Sequence, residues 1–307
     1  MEGAGPLAAL RGRVERQVFG KRQVVDLAVV CVLAGGHLLL EDVPGVGKTT
    51  LGLALARALG GTLRRVQFTS DLLPADILGG SVLDPRDGSL RFRPGPVFTN
   101  VLLADELNRT PPRTQSALLE AMNEGQVSID GDSHPLPDPF LVIATQNPHE
   151  LHGTWPLPDS QLDRFLLRTS MGYPDRSSER QVLRGESRRG AEEGVAVSAD
   201  ELRGLKAAVG AVSVHEEIED YVLDLVEATR TAPTLVRGSS TRGAEALLRA
   251  ARAHALLQGR TWVIPEDVRA LVVPVLAHRV VPRAESGSEA AAAVLREVTA
   301  GVRPPGG

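Results

Sequence analysis

One segment limits the fold of this chain more than any other: Glu41-Asp42-Val43-Pro44-Gly45-Val46-Gly47-Lys48-Thr49-Thr50. Just before it, His37-Leu38-Leu39-Leu40 is short and apolar on both faces, the mark of a buried strand in a parallel sheet. After Gly47 the pattern becomes helical. A glycine-rich turn between a strand and a helix is the setting of a phosphate-binding loop. Gly45 and Gly47 let backbone N–H groups converge on phosphate oxygens, and the helix N-terminus adds a favourable dipole. Lys48 is placed to reach β- and γ-phosphates, and the Thr49 hydroxyl can ligate Mg²⁺. The pattern Gly-x-x-x-x-Gly-Lys-Ser/Thr is met except at its first glycine, where Asp42 stands. Asp42, Val43, Pro44, Gly45, Val46, Gly47, Lys48, Thr49 and Thr50 are therefore the candidate nucleotide-binding residues.

A second segment supplies the acids. Val101-Leu102-Leu103-Ala104-Asp105-Glu106 is an apolar strand ending in two carboxylates. Downstream of a phosphate loop, Asp105 at the sheet edge can hold Mg²⁺ together with Thr49. Glu106 is then placed to polarise an attacking water.

Around these motifs helices alternate with short apolar strands. The spacing of Leu7, Leu10, Val14 and Val18 predicts a first amphipathic helix, and a second runs from about Lys21 to Ala34 with Val25, Ala28, Val29 and Val32 inward. Further strands are predicted at 66–68, 101–104 and 140–145, with a helix over 111–123. This order implies an α/β parallel sheet covered on both faces. After about Tyr173 the pattern predicts no more strands. Helices are predicted over 178–189, 199–209, 215–231, 240–257 and 265–277, with a capping box at Ser198-Ala199-Asp200-Glu201 and a frayed tail. The chain thus reads as an α/β core over 1–173 and a smaller all-α lid over 174–307.

Composition excludes some function classes. The 307 residues suffice for a core without disulfides, and the single cysteine, Cys31, lies in an apolar run that reads as packing. A net charge of −4 argues against a nucleic-acid-coating protein. The most apolar stretch, 24–40, is broken by Asp26, Gly35-Gly36 and His37, so no membrane insertion is expected. No basic-then-apolar leader is visible, which makes cytoplasm the expected location. His149 and His152 read as loop residues, since no third ligand is near.

Taken together and in order, several motifs resemble the MoxR group of AAA+ ATPases. They are Pro44-Gly45-Val46-Gly47-Lys48-Thr49, Asp105-Glu106-Leu107-Asn108-Arg109, 114–122, Ala144-Thr145-Gln146-Asn147-Pro148 and Pro156 to Phe165. The resemblance spans roughly Phe19 to Val280. It implies a P-loop NTPase sheet with a helical lid, ATP and Mg²⁺ as substrate and cofactor, and further site residues. Asn147 matches the sensor 1 position. Arg164, in Leu162-Asp163-Arg164-Phe165, matches the arginine finger given to a neighbouring subunit. Arg242 matches sensor 2, which would reach ATP from the lid. Val18-Phe19-Gly20 resembles the segment that packs on adenine. Residues 76–96 resemble an insert within the second core helix, and 127–136 a hairpin before the sensor 1 strand. Asp130-Gly131 is a hairpin signal in its own right.

The function so implied is Mg-dependent ATP hydrolysis in a homo-oligomeric ring, expected to be a hexamer. Its output would be chaperone-like remodelling of a client, with a von Willebrand factor A domain protein as partner. Alternatives are a magnesium-chelatase-type ATPase subunit, an ATP-gated scaffold with little turnover, and a DNA motor. The −4 charge argues against the last.

Overall fold

The computed structural model describes residues 4–43, 45–147, 153–185, 194–284 and 287–306. Pro44, His149 and His152 lie outside the described residues. The chain opens with α1 (Ala4–Glu15) and α2 (Arg22–Leu33), then β1 (Leu38–Glu41), α3 (Lys48–Ala58) and β2 (Leu63–Gln67). A short α4 (Pro74–Leu78) leads into the hairpin β3 (Gly79–Leu83) and β4 (Leu90–Pro94). β5 (Val101–Asp105), α5 (Pro112–Glu124), a second hairpin β6 (Gln126–Ile129) and β7 (Asp132–Pro135), and β8 (Leu141–Gln146) follow. Then come α6 (Asp159–Leu162), β9 (Leu167–Thr169) and α7 (Arg176–Leu183).

β2, β5, β8, β1 and β9 form, in that spatial order, one five-stranded sheet whose neighbours are all parallel. Alternation along the strands divides the core into two layers. Leu38, Leu40, Leu103 and Ile143 pack with α1, α2 and α3 on one face. Leu39, Leu102, Ala104 and Val142 pack with Phe68, Ile77, Leu118 and Phe165 on the other. Helix α2 is buried on more than the expected stripe, from Val24 to Leu33, because it lies between the sheet and later helices. Cys31 is a free, buried thiol whose pKa is pushed up by desolvation, as its packing role requires.

The remaining elements are α8 (Ala199–Ala211), α9 (Glu216–Thr231), β10 (Leu235–Arg237), α10 (Thr241–Leu257), α11 (Pro265–Leu276), β11 (Val281–Pro282) and α12 (Ser288–Ala300). The Ser198–Glu201 capping box forms as read, its amide and hydroxyl partners exchanged. One expectation fails here, and one helix is additional to those expected. The helical part is not free of strands, since β10 and β11 pair antiparallel. Its C-terminal stretch also contains a full helix, α12, whose Ala291, Ala292 and Leu295 are buried. Among the described residues no helix is long and apolar enough to cross a membrane.

Both inserts are β-hairpins. In the first, Gly79 and Gly95 allow an approach that a side chain would block: a Cβ at Gly79 would lie 2.2 Å from the Arg93 carbonyl oxygen. In the second, Asp130 (φ 54°) and Gly131 (φ 91°) form the left-handed pair that a tight hairpin turn demands. The hairpins touch. Ser81 Oγ donates to Asp130 Oδ2 at 2.5 Å, and the Phe92 and His134 rings stack with centroids 3.8 Å apart.

Candidate nucleotide site

The phosphate loop leaves β1, which lies between β8 and β9 in the sheet. Gly45 and Gly47 have φ of 88° and 99°, values that any side chain would strain. Gly47 is the N-cap of α3, so the free N–H groups of that helix face the loop. Lys48 Nζ donates to the Asp42 carbonyl at 3.2 Å and is held along the loop.

A cavity of about 170 Å³ opens at this point, lined by Gly45, Gly47, Lys48, Thr49, Arg65, Gln67, Asp105, Glu106 and Thr145. Four of the sequence-read residues on the loop and both acids thus meet in one place. β5 delivers Asp105, which is buried. Its Oδ1 accepts from Thr145 Oγ1 at 3.2 Å and its Oδ2 from Arg65 Nε at 2.6 Å. Glu106 sits in the left-handed region at φ 57° and caps a short 3₁₀ turn, Leu107–Arg109. A non-glycine residue there is uncommon and worth a functional reading. Its N–H donates to Thr145 Oγ1 at 2.9 Å, and its Oε2 accepts from Gln67 Nε2 at 2.6 Å and pairs with Arg109 Nε at 3.0 Å.

Thr49, with its hydroxyl, and Asp105, with its carboxylate, both line this cavity and offer the hard oxygen donors that suit Mg²⁺. Among the described residues no cluster of three His, Cys, Asp or Glu offers a rival metal site.

The other sequence-read residues fall outside this cavity. Asp42 is buried, and its carboxylate accepts from the Gly172 N–H at 3.1 Å and from the Met171 N–H. It therefore clamps the base of the loop to the segment after β9 and turns away from the phosphate side. Asp42 and Val43 instead line a larger cavity of about 920 Å³, shared with Gln23, Tyr173 and the α11 residues Arg269 and Val273. Val46 is buried in the core, and Thr50 is half-buried and lines neither cavity. Asn147 follows β8 directly and is half-buried, while Thr145, two residues earlier on the same strand, reaches the cavity.

Both arginines read from the family pattern lie elsewhere. Arg164 Nη1 donates to the Leu119 carbonyl at 2.9 Å, on α5. Arg242 is exposed and lines neither cavity. Its neighbour Gly243 abuts Arg279, with a Cβ position 3.3 Å from Arg279 Cδ, and Arg279 pairs with Asp163 beside Arg164.

Thr145, Arg65 and Gln67 were not read from the sequence. The signal for Arg65 and Gln67 is their alternation on β2, but their use depends on β2 lying next to β5, where Gln67 registers with Asp105. Arg279, three residues after α11, donates to the Val275 carbonyl in the last turn of that helix, and does more besides.

The fold and the site define a phosphate-loop nucleotide-binding protein with a helical appendage. A family profile for the "ATPase family associated with various cellular activities (AAA)" matches residues 37–167, and one for the "AAA lid domain" matches 227–298. The chain is 44% identical over 296 residues to the uncharacterized protein YeaC of Bacillus subtilis, covering 95% of this chain and 92% of that protein. It is 42% identical over 297 residues to the chaperone MoxR1 of Mycobacterium tuberculosis, covering 91% and 78%. The crystal structure of a candidate ATPase from Cytophaga hutchinsonii superposes with a TM-score of 0.89 at 34% identity, covering 99% and 96%. The chain belongs to the MoxR family of AAA ATPases.

Proposed function

We propose that this chain hydrolyses ATP with Mg²⁺ at a site completed by a neighbouring copy, and spends the cycle on remodelling a partner protein. The observation that carries this reading is a division of parts. Lys48, Thr49, Asp105 and Glu106 share one cavity, whereas Arg164 lies off it against α5. A finger that cannot serve its own site has a use only in the site of another subunit, and that requires a ring. A hexamer is the proposed assembly.

Within the site each residue has a separable task. The loop amides and Lys48 bind and orient the phosphates, and Asp42 fixes the loop from behind. Thr49 and Asp105 would hold Mg²⁺, which when bound neutralises charge on the β- and γ-phosphates. Glu106 accepts a proton from the attacking water. Thr145 aligns both acids by accepting from the Glu106 N–H while donating to Asp105. Asn147 is proposed to meet the γ-phosphate. Arg242 is proposed to reach ATP from the lid, and Arg164 to act on the next subunit's nucleotide. The 920 Å³ cavity beside Gln23 and Tyr173 is large enough for the nucleoside and is proposed to receive it. The division at 173/174 separates the core from a lid that closes on it.

The client and a von Willebrand factor A domain partner are proposed from the family resemblance, as is a cytoplasmic location. A second reading, an ATP-gated scaffold with slow turnover, draws support from the two groups that hold Glu106 Oε2, Gln67 and Arg109. Steady-state phosphate release separates the two. Turnover that requires Mg²⁺ and disappears in Glu106→Gln supports the remodeller; ATP binding without turnover, with or without a partner, supports the scaffold.

A further inference from the structure

Among the described residues Arg279 is the one buried arginine or lysine, with 4% of its side chain exposed. A guanidinium so placed needs a counter-charge and acceptors for its fork of N–H groups. Nearly all of them come from one segment. Nε donates to Asp163 Oδ1 at 2.7 Å. Nη2 donates to the carbonyls of Asp163 at 3.1 Å and Phe165 at 2.8 Å, and Nη1 to that of Leu166 at 3.3 Å. His278 Nε2 lies 2.9 Å from the Phe165 carbonyl oxygen. The backbone on both sides of Arg164 is therefore held from the helical part of the chain.

The same element reaches the nucleotide side. Arg269, Ala270, Val273, Pro274 and Ala277, on or just after α11, line the 920 Å³ cavity next to Asp42 and Val43. Two residues beyond Ala277, Arg279 grips Asp163. One helix end thus touches both the cavity beside the chain's own phosphate loop and the segment that carries the finger.

We infer that Arg279 is a positioning residue for Arg164, through which nucleotide in one subunit's cavity sets the arginine offered to the next subunit. The inference rests on reading Arg164 as a trans-acting finger. Any displacement of α11 is passed to residues 163–166 by a buried, multiply bonded guanidinium. A packed contact of this kind shifts as a unit and does not stretch. Arg237, whose Nη2 lies 2.6 Å from Asp159 Oδ2, makes a second link to the same region, but it is half-exposed and correspondingly weak.

Two variants test this in the full chain. Arg279→Lys keeps the charge but loses the fork that spans a carboxylate and four carbonyls. Asp163→Asn keeps the shape and removes the counter-charge. After thermal melting has shown that a variant is folded, kcat, KM for ATP and ATP affinity are measured, alone and in equimolar mixtures with Lys48→Ala. The expected result is a fall in kcat of about tenfold or more, with ATP affinity held within about twofold. The mixture should run faster than the mean of its two components, because the Lys48→Ala neighbour brings a well-held finger. An unchanged kcat in a folded Arg279→Lys overturns the inference. So does a variant that loses ATP affinity and gains nothing in the mixture, when Arg164→Ala does gain from Lys48→Ala. If that control pair itself shows no gain, the trans finger falls and takes this inference with it. If Arg279→Lys does not fold, Asp163→Asn carries the same measurements and the same two outcomes.

Discussion

Arg65 Nε lies 2.6 Å from Oδ2 of Asp105, so the acid proposed to hold Mg²⁺ is already paired with a cation from the adjacent strand. Arg65 is half-exposed while Asp105 is buried, and the pair sits at the mouth of the phosphate cavity. A cation entering beside Asp105 must compete with this arginine. Arg65→Gln should therefore lower the Mg²⁺ concentration needed for half-maximal binding. Pairs with one exposed partner contribute up to about 1 kcal/mol, so the shift should be at most about fivefold. Titration calorimetry of Mg²⁺ into protein saturated with a non-hydrolysable ATP analogue measures it. An unchanged or higher half-saturation would count against competition at Asp105.

Binding and chemistry should separate by residue. Lys48→Ala removes the point charge that faces the phosphates and should weaken ATP binding at least about tenfold. Glu106→Gln keeps the shape of the side chain and its hydrogen-bonding oxygen, so it should bind ATP normally. Its turnover should fall by about 10²–10⁴, the range for loss of a positioned base. Equal turnover in wild type and Glu106→Gln would remove Glu106 from the reaction.

The motifs that surround the phosphates were legible because their physics is local. β1, β5 and β8 are buried on both faces, so they read as continuous apolar runs, and the loop must have glycine where φ is positive. β9 gave no such signal. It is a three-residue edge strand, and only Leu167 of it is buried; Arg168 is matched across the strand pair by Glu41, 3.7 Å away. β10 and β11, of three and two residues, pair across a long sequence separation. Thr145, Arg65 and Gln67 belong to the site only because β2, β5 and β8 are adjacent, a fact of strand order that periodicity does not carry. The role of Arg279 likewise depends on a partner more than a hundred residues away.

His37 gives the fold a pH dependence. It is buried, and desolvation lowers its pKa to about 4. Its Nδ1 accepts from the Val142 N–H at 3.0 Å, which leaves Nε2–H to donate to the Met122 carbonyl at 3.2 Å. A second ring proton would face an N–H. In the unfolded chain a histidine titrates near ~6.5. Above that pH His37 therefore adds no pH dependence. Below it the unfolded state binds the proton first, and stability falls until the pH passes about 4. The full loss from this group is about 3 kcal/mol. Urea midpoints at pH 7.5, 6 and 5 should fall more steeply for wild type than for His37→Gln, and parallel profiles would assign the acid sensitivity to other groups.

The two hairpins should act on a client and not on ATP. They are joined through Ser81–Asp130 and Phe92–His134, and Val82, Leu83 and Leu90 near the first tip are exposed. None of these residues lines the phosphate cavity. Replacing 81–93 by a short Gly/Ser linker, with Gly79 and Gly95 kept, should leave ATP affinity within about twofold and impair remodelling. A large loss of ATP affinity in a folded variant would contradict that placement.

The central claim is that one catalytic site is built from two subunits, and mixing tests it most directly. Arg164→Ala keeps Lys48, Thr49 and Asp105 and should bind ATP but hydrolyse it poorly, since a trans arginine contributes about 10³–10⁵ in rate. Lys48→Ala has a sound finger and a poor loop. ATPase rate is measured against mole fraction at fixed total protein, once both variants are known to enter common oligomers. The account predicts a profile that rises above either homogeneous variant and peaks between them. A profile that stays flat and inactive at every ratio would contradict the shared site.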